Sequence, residues 1–247
     1  PFDTNDTLET LQSSLRDALM FRGHLHAADS LGQSDWDWQV RQSAFVGTIS
    51  RDSILRTAHR RLEQAGLDDD PVVLWWIEWV AGERDMARLQ RFAGRLDSIG
   101  RSQRGAIRED YSGQRANQLA TLDYAQHYLA AVVSLGQGDT VQALEGLAKL
   151  SDEVCYGCFM HAVLLARLRA ARGDYKEAER FYRQILRYSP DATHVLWTLE
   201  HGSVLEKLGD RTGASEAYQF VADVWVNADP VLQHYVEDAK AGLRRVS

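Results

Sequence analysis

Proline and cysteine are both scarce in this chain of 247 residues, which has four of one and two of the other. Few prolines leave long stretches free to be helical, and abundant Ala, Leu, Arg and Glu favour the same outcome. Two cysteines cannot build the dense disulfide framework of a small secreted domain. Strand signals are missing as well: no run of four or more residues shows β-branched alternation bounded by turn residues. Apolar runs fall short of the ~20 residues needed to span a bilayer; the most apolar, Val72 to Ala81, contains Glu78. Positive charge is also in deficit. The formal net charge is −7, which argues against a nucleic-acid partner, because phosphate neutralisation needs clustered Lys and Arg. The local set Arg101, Arg104 and Arg108 is diluted by Glu109 and Asp110 and reads as a solvated helix face. No initiator Met and no leader pattern are present, so a chain beginning at Pro1 reads as a piece of something longer.

What the chain does have is a repeat. Gly138-Asp139, Gly173-Asp174 and Gly209-Asp210 recur 35 and 36 residues apart. Each pair is followed at a fixed distance by an alanine (Ala143, Ala178, Ala214), then by Leu147, Tyr182 and Tyr218, then by Leu150, Ile185 and Val221. Seven residues before each glycine stands a small residue: Ala131, Ala166 and Gly202. Such self-similarity marks a stacked-repeat architecture. The glycine suits a left-handed residue closing a first helix, and the aspartate suits the cap of a second. The small residues let two antiparallel helices approach, and the large ones fill the groove between neighbours. Arg172-Gly173-Asp174 spells an adhesive tripeptide, but its place in the repeat makes it the interhelical turn. Weaker copies are expected at Gly82-Glu83 with Ala87 and Phe92, and at Gly23 with Ala28, with extra helices near residues 44–65 and 103–111. Asp70-Pro71 and Asp229-Pro230 read as helix starts.

Residues 130–150, 165–190 and 202–221 resemble tetratricopeptide repeat (TPR) units, with Pro190 placed where that family often closes its second helix. The expected fold is therefore all-α, a TPR-like right-handed α-solenoid of stacked antiparallel hairpins. Its expected parts are divergent repeats over 1–123, three clear units over 124–228 and a capping helix over 229–247. Through Cys155-x-x-Cys158, Ala178 to Tyr182, Tyr218-x-Phe220 to Trp225 and Ala228-Asp229-Pro230, the stretch from Cys155 to Val246 also resembles the helical C-terminal regions of large modular bacterial signalling proteins. There a TPR array is joined to a kinase or a transcription-regulator module, sometimes through a membrane segment. That resemblance implies a sensor or interaction module; no kinase glycine loop or catalytic-loop motif is present in the sequence.

Residues able to carry chemistry are few. Cys155 and Cys158 bracket Tyr156-Gly157 and admit a local disulfide, simple packing, or a metal or redox pair that would recruit His161. The disulfide reading leans toward an extracytoplasmic setting. His24 and His26 diverge on a helix, His194 and His201 find only Glu200 near them, and Asp68-Asp69-Asp70 lacks the rest of a calcium loop. No metal, cofactor or enzymatic activity is therefore expected. The expected job is to hold a protein or peptide segment along a face built from first helices, where Tyr128, Val132, Met160, Val163, Arg167, Leu199 and Ser203 fall. Of these, Tyr128, Met160, Arg167 and Ser203 are the candidate contacts, with Trp76 and Trp79 from the aromatic group around Trp75 as either core or partner surface. The alternative is an accessory subunit docked permanently, through that aromatic group, on a larger and possibly membrane-bound assembly.

Overall fold

In the computed structural model the described residues are 4–31, 46–47, 49–64, 85–106, 114–154, 158–187 and 191–247. Among them the chain forms eleven α-helices, one short 3-10 helix and no strand. The α-helices are α1 (Thr4–Phe21), α2 (Leu25–Ser30), α3 (Arg51–Gln64), α4 (Met86–Ala106), α5 (Gln114–Gly136) and α6 (Thr140–Leu147). They continue with α7 (Met160–Ala171), α8 (Tyr175–Ile185), α9 (Ala192–Leu208), α10 (Arg211–Val224) and α11 (Gln233–Val246), the last preceded by the 3-10 turn Pro230–Leu232. Among the described residues the fold is all-α, built of helix hairpins.

The hairpins share one turn. At Gly138, Gly173 and Gly209 the backbone is left-handed, with φ of 89°, 81° and 80°. Each glycine amide donates to the carbonyl three residues back, and the following aspartate amide donates to the carbonyl five residues back: Leu135 and Ser134, Ala170 and Arg169, Glu206 and Leu205. This paired pattern satisfies carbonyls left over at a helix end, and it requires the left-handed residue that glycine supplies without a Cβ penalty. Gly23 makes the same turn, with φ of 77° and bonds from Gly23 N to Met20 O and from His24 N to Leu19 O. Five residues after each of the four glycines lies an alanine, and Ala28, Ala143, Ala178 and Ala214 are all 0% exposed. The Gly23–Ala28 hairpin is therefore a full copy of the motif in backbone terms.

The aspartates diverge in what they do. Asp139 accepts from Gln142 N and Asp210 from Gly213 N, each a side-chain cap on the helix that follows. Asp174 makes no cap bond; it pairs instead with Arg169, whose Nη1 donates to Oδ2 at 3.2 Å. A further cap comes from Asp191, which accepts from His194 N at the start of α9.

Two compact units emerge. The first combines Pro1–Ser50 with Arg169–Ser247, and the second is Arg51–Leu168. The expected boundaries at 123 and 228 do not coincide with this division. In the first unit, consecutive helices α8 to α11 pack in pairs, and α1 packs against α9. Met20, Leu25 and Ala28 join Val195, Leu205, Tyr218, Trp225, Leu232 and Val236 in one core. In the second unit α5 packs between α4 and α6, and Ala131 lies close enough to Gly146 that a Cβ there would be 3.2 Å away.

Some expectations need correction. Ala87 is exposed and does not seat a neighbouring helix. The helix begins at Met86, because Asp85 accepts from Arg88 N as a local cap, and Leu89, Phe92 and Leu96 are the residues turned inward. Helix α6 ends at Leu147, so Leu150 lies in a turn beyond it rather than on the helix. Of the extra helix expected near 103–111, residues 103–106 instead continue α4, which runs to Ala106, and 107–111 lie outside the described residues. Asp70-Pro71, Gly82-Glu83 and Pro190 lie outside the described residues.

Candidate interaction face

The seven first-helix positions are not equivalent. Tyr128 and Met160 are each 0% exposed, and Val132 and Val163 are buried with them. As partner contacts Tyr128 and Met160 are corrected: their side chains are core. The reason is local. Helix α5 is apolar around most of its circumference and has neighbours on two sides, so one face cannot be reserved for solvent. Tyr128 stacks on Tyr124 with ring centroids 6.1 Å apart, and Tyr124 meets His161 edge-on at 5.6 Å. Arg167 is half-buried, Leu199 half-buried and Ser203 exposed. Trp76 and Trp79 lie outside the described residues, as does Cys155. Cys158 is buried and disulfide-bonded.

In the first unit the accessible stripe on α9 is Leu199, Ser203 and Lys207, each four residues from the next, with Glu206 beside it. One edge of this stripe carries a fixed charge pair: the Arg245 guanidinium donates through Nε and Nη2 to the two oxygens of Glu206 at 2.7 and 2.9 Å. The Tyr218 hydroxyl adds a third bond to Glu206 Oε2 at 2.7 Å. Hydrogen bonding from Arg245 is the main cause that pulls the Glu206 carboxyl down to about 2, and burial pushes the Tyr218 phenol up to about 12. On the other side Tyr182 donates to Glu200 at 2.9 Å. The stripe thus offers an apolar patch, a hydroxyl and an ammonium next to a neutralised carboxylate.

The histidines are placed for packing. His161 Nδ1 lies 2.9 Å from both the Cys158 carbonyl and the Tyr124 hydroxyl. A carbonyl can only accept, so Nδ1 carries the proton. Burial lowers the pKa of His161, His194 and His201, outweighing the carboxylates near them. Among the described residues no group of three His, Cys, Asp or Glu side chains is arranged to hold a metal ion. No helix among them is long and apolar enough to cross a membrane.

Sequence reasoning missed Glu206 and Arg245. Nothing local announces them: they lie 39 residues apart on helices separated by another.

The chain matches no protein-family model and no curated protein. Among solved structures it is similar to a Podosopora anserina protein described as a kinesin light chain with nearly identical TPR-like repeats. The identity is 15%, the match covers 80% of this chain and 95% of that one, and the TM-score is 0.43.

Proposed function

We propose that this chain is a non-catalytic helical-repeat scaffold that holds a segment of a protein partner against the exposed face of its first helices. The observation behind this reading is the stripe Leu199, Ser203 and Lys207 on α9, presented on a helix whose other sides are packed. An apolar half-buried residue beside a hydroxyl and a cation suits a peptide that brings one apolar side chain and a hydrogen-bonding or acidic group. In the second unit, taken by itself, Arg167 on α7 is proposed as a polar contact of that unit's own first-helix face. Rigid neighbours limit the ordering cost of binding, because the Glu206–Arg245 pair and the packed helices already hold the face in place.

A peptide array probed with the purified chain tests this. Bound peptides are then titrated against Ser203→Arg, which fills the stripe without touching the core, and against Arg167→Ala. The proposal expects at least a tenfold loss for Ser203→Arg with an unchanged far-UV circular dichroism spectrum. Equal affinity for the unaltered chain and Ser203→Arg would place the contact elsewhere.

A further inference from the structure

The hairpin α1–α2 has the repeat's glycine turn but lacks the repeat's aspartate. His24 stands where Asp139 and Asp210 stand in the other copies, and it makes no side-chain cap bond. The cap is supplied from the far end of the chain instead: Asp229 Oδ2 accepts from His26 N at 3.0 Å. Asp229 also donates its own amide to Gly23 O at 2.9 Å. Two further bonds come from the same region, from Trp225 Nε1 to Phe21 O at 3.0 Å and from Tyr235 Oη to Val46 O at 3.1 Å. All four bonds read backbone groups of the N-terminal segment.

Shape matches this polar pattern. A Cβ on Gly23 would lie 2.5 Å from Ala228 Cβ and within 3.2 Å of Leu232 and Trp225. The same addition at Gly138, Gly173 or Gly209 meets nothing within 4 Å. Three of the four glycine turns are open to solvent, and the one with no aspartate after its glycine is buried against Trp225–Leu232.

We propose that the junction between α10 and α11 is a receptor for a helix–glycine–helix hairpin, filled within the chain by α1–α2 and able to take the same hairpin from a second copy of this chain. The paired groups lie 203 and 204 residues apart, so short-range connection does not impose their pairing. A second copy presents identical carbonyls and the same uncapped amide. Reciprocal exchange would close a two-fold dimer with no new contact chemistry. This surface is distinct from the α9 stripe, and its test does not depend on that reading.

Two full-length variants test the proposal. Gly23→Val blocks the hairpin from seating but leaves the junction intact. Asp229→Ala combined with Tyr235→Phe removes polar contacts of the junction but leaves the hairpin intact. Sedimentation velocity of an equimolar mixture should show a mixed dimer at least tenfold tighter than the self-association of either variant. Hydrogen exchange on the unaltered chain should show the amides of residues 10–31 opening more readily than those of α9 and α10. A mixture that sediments as monomers overturns the proposal, as does equal protection of the two regions. Loss of helical signal in Gly23→Val also overturns it, because the hairpin would then be inseparable from the fold.

Discussion

The ring of Tyr218 lies so close to Gly242 that a Cβ at that position would fall 2.5 Å from ring atoms. On its other side Gly202 approaches the same ring, with a Cβ there placed 3.0 Å away. A buried tyrosine on α10 is thus held between a glycine of α9 and a glycine of α11, and its hydroxyl reaches Glu206. Gly242→Ala should therefore destabilise the protein by roughly 2 kcal/mol, in the range for overpacked sites, even though alanine is the better helix former. Gly202→Ala should cost less, since its clash is milder. Urea unfolding of the two variants checks the order.

The hydroxyl of Tyr218 makes its own contribution. Tyr218→Phe keeps the ring and the Arg245–Glu206 pair and removes one bond to a charged acceptor. A loss of about 1.5 kcal/mol is expected, read as a lower urea midpoint with an unchanged slope.

The glycine turns separate two effects that are usually mixed. Gly138→Ala meets open space and bears only the penalty of a left-handed alanine, about 1 kcal/mol. Gly23→Ala has the same backbone penalty and a clash with Ala228 in addition. It should be the more destabilising of the two by at least 1 kcal/mol, on the order of an overpacking cost. Equal effects in thermal unfolding would mean that the Gly23 turn is not buried against Trp225–Leu232.

Acid should act in two windows. Buried His161 and half-buried His194 and His201 have folded pKa values below the ordinary 6.5. The unfolded chain therefore takes up protons first, and their contribution, complete above that value, is lost as pH falls through the lowered values. Glu206 is held near 2 against an ordinary 4.5. Its contribution is complete above 4.5 and disappears as pH drops toward 2. His201→Gln should flatten the stability profile in the upper window, and Glu206→Gln should flatten it in the lower. Chemical denaturation repeated from pH 8 to pH 3 measures both slopes.

The caps give a parallel contrast. Asp139→Ala and Asp210→Ala each remove a side-chain bond to a helix amide and should cost about 1 kcal/mol. Asp174→Ala removes a half-exposed pair with Arg169 and should cost about 0.5 kcal/mol or less. A double-mutant cycle on Arg169 and Asp174 checks the smaller value.

What was legible in the sequence was local chemistry. Gly138, Gly173 and Gly209 announce left-handed turns because few other residues accept that backbone, and the alanines five positions on announce close helix approach. Even the faint Gly23–Ala28 copy could be read this way. Contacts joining distant helices left no local trace: Asp229 at the amide of His26, Gly242 under Tyr218, Arg245 on Glu206. The face assignment failed at Tyr128 and Met160 for a related reason. Periodicity shows which side of a helix is apolar, but α5 is apolar on most sides, and its neighbours decide what stays exposed. Ala87 misled because Asp85, two residues ahead of it, caps the start of α4, and Leu89 and Phe92 are the residues that this start turns inward.

Helix hairpins closed at four glycine turns underlie the fold. Hydrogen-bond scalar couplings in the isotopically labelled protein read those turns directly. The expected couplings run from the amides of His24, Asp139, Asp174 and Asp210 to the carbonyls of Leu19, Ser134, Arg169 and Leu205, five residues back in each case. Couplings from the same amides to carbonyls four residues back, as in an unbroken helix, would contradict the account.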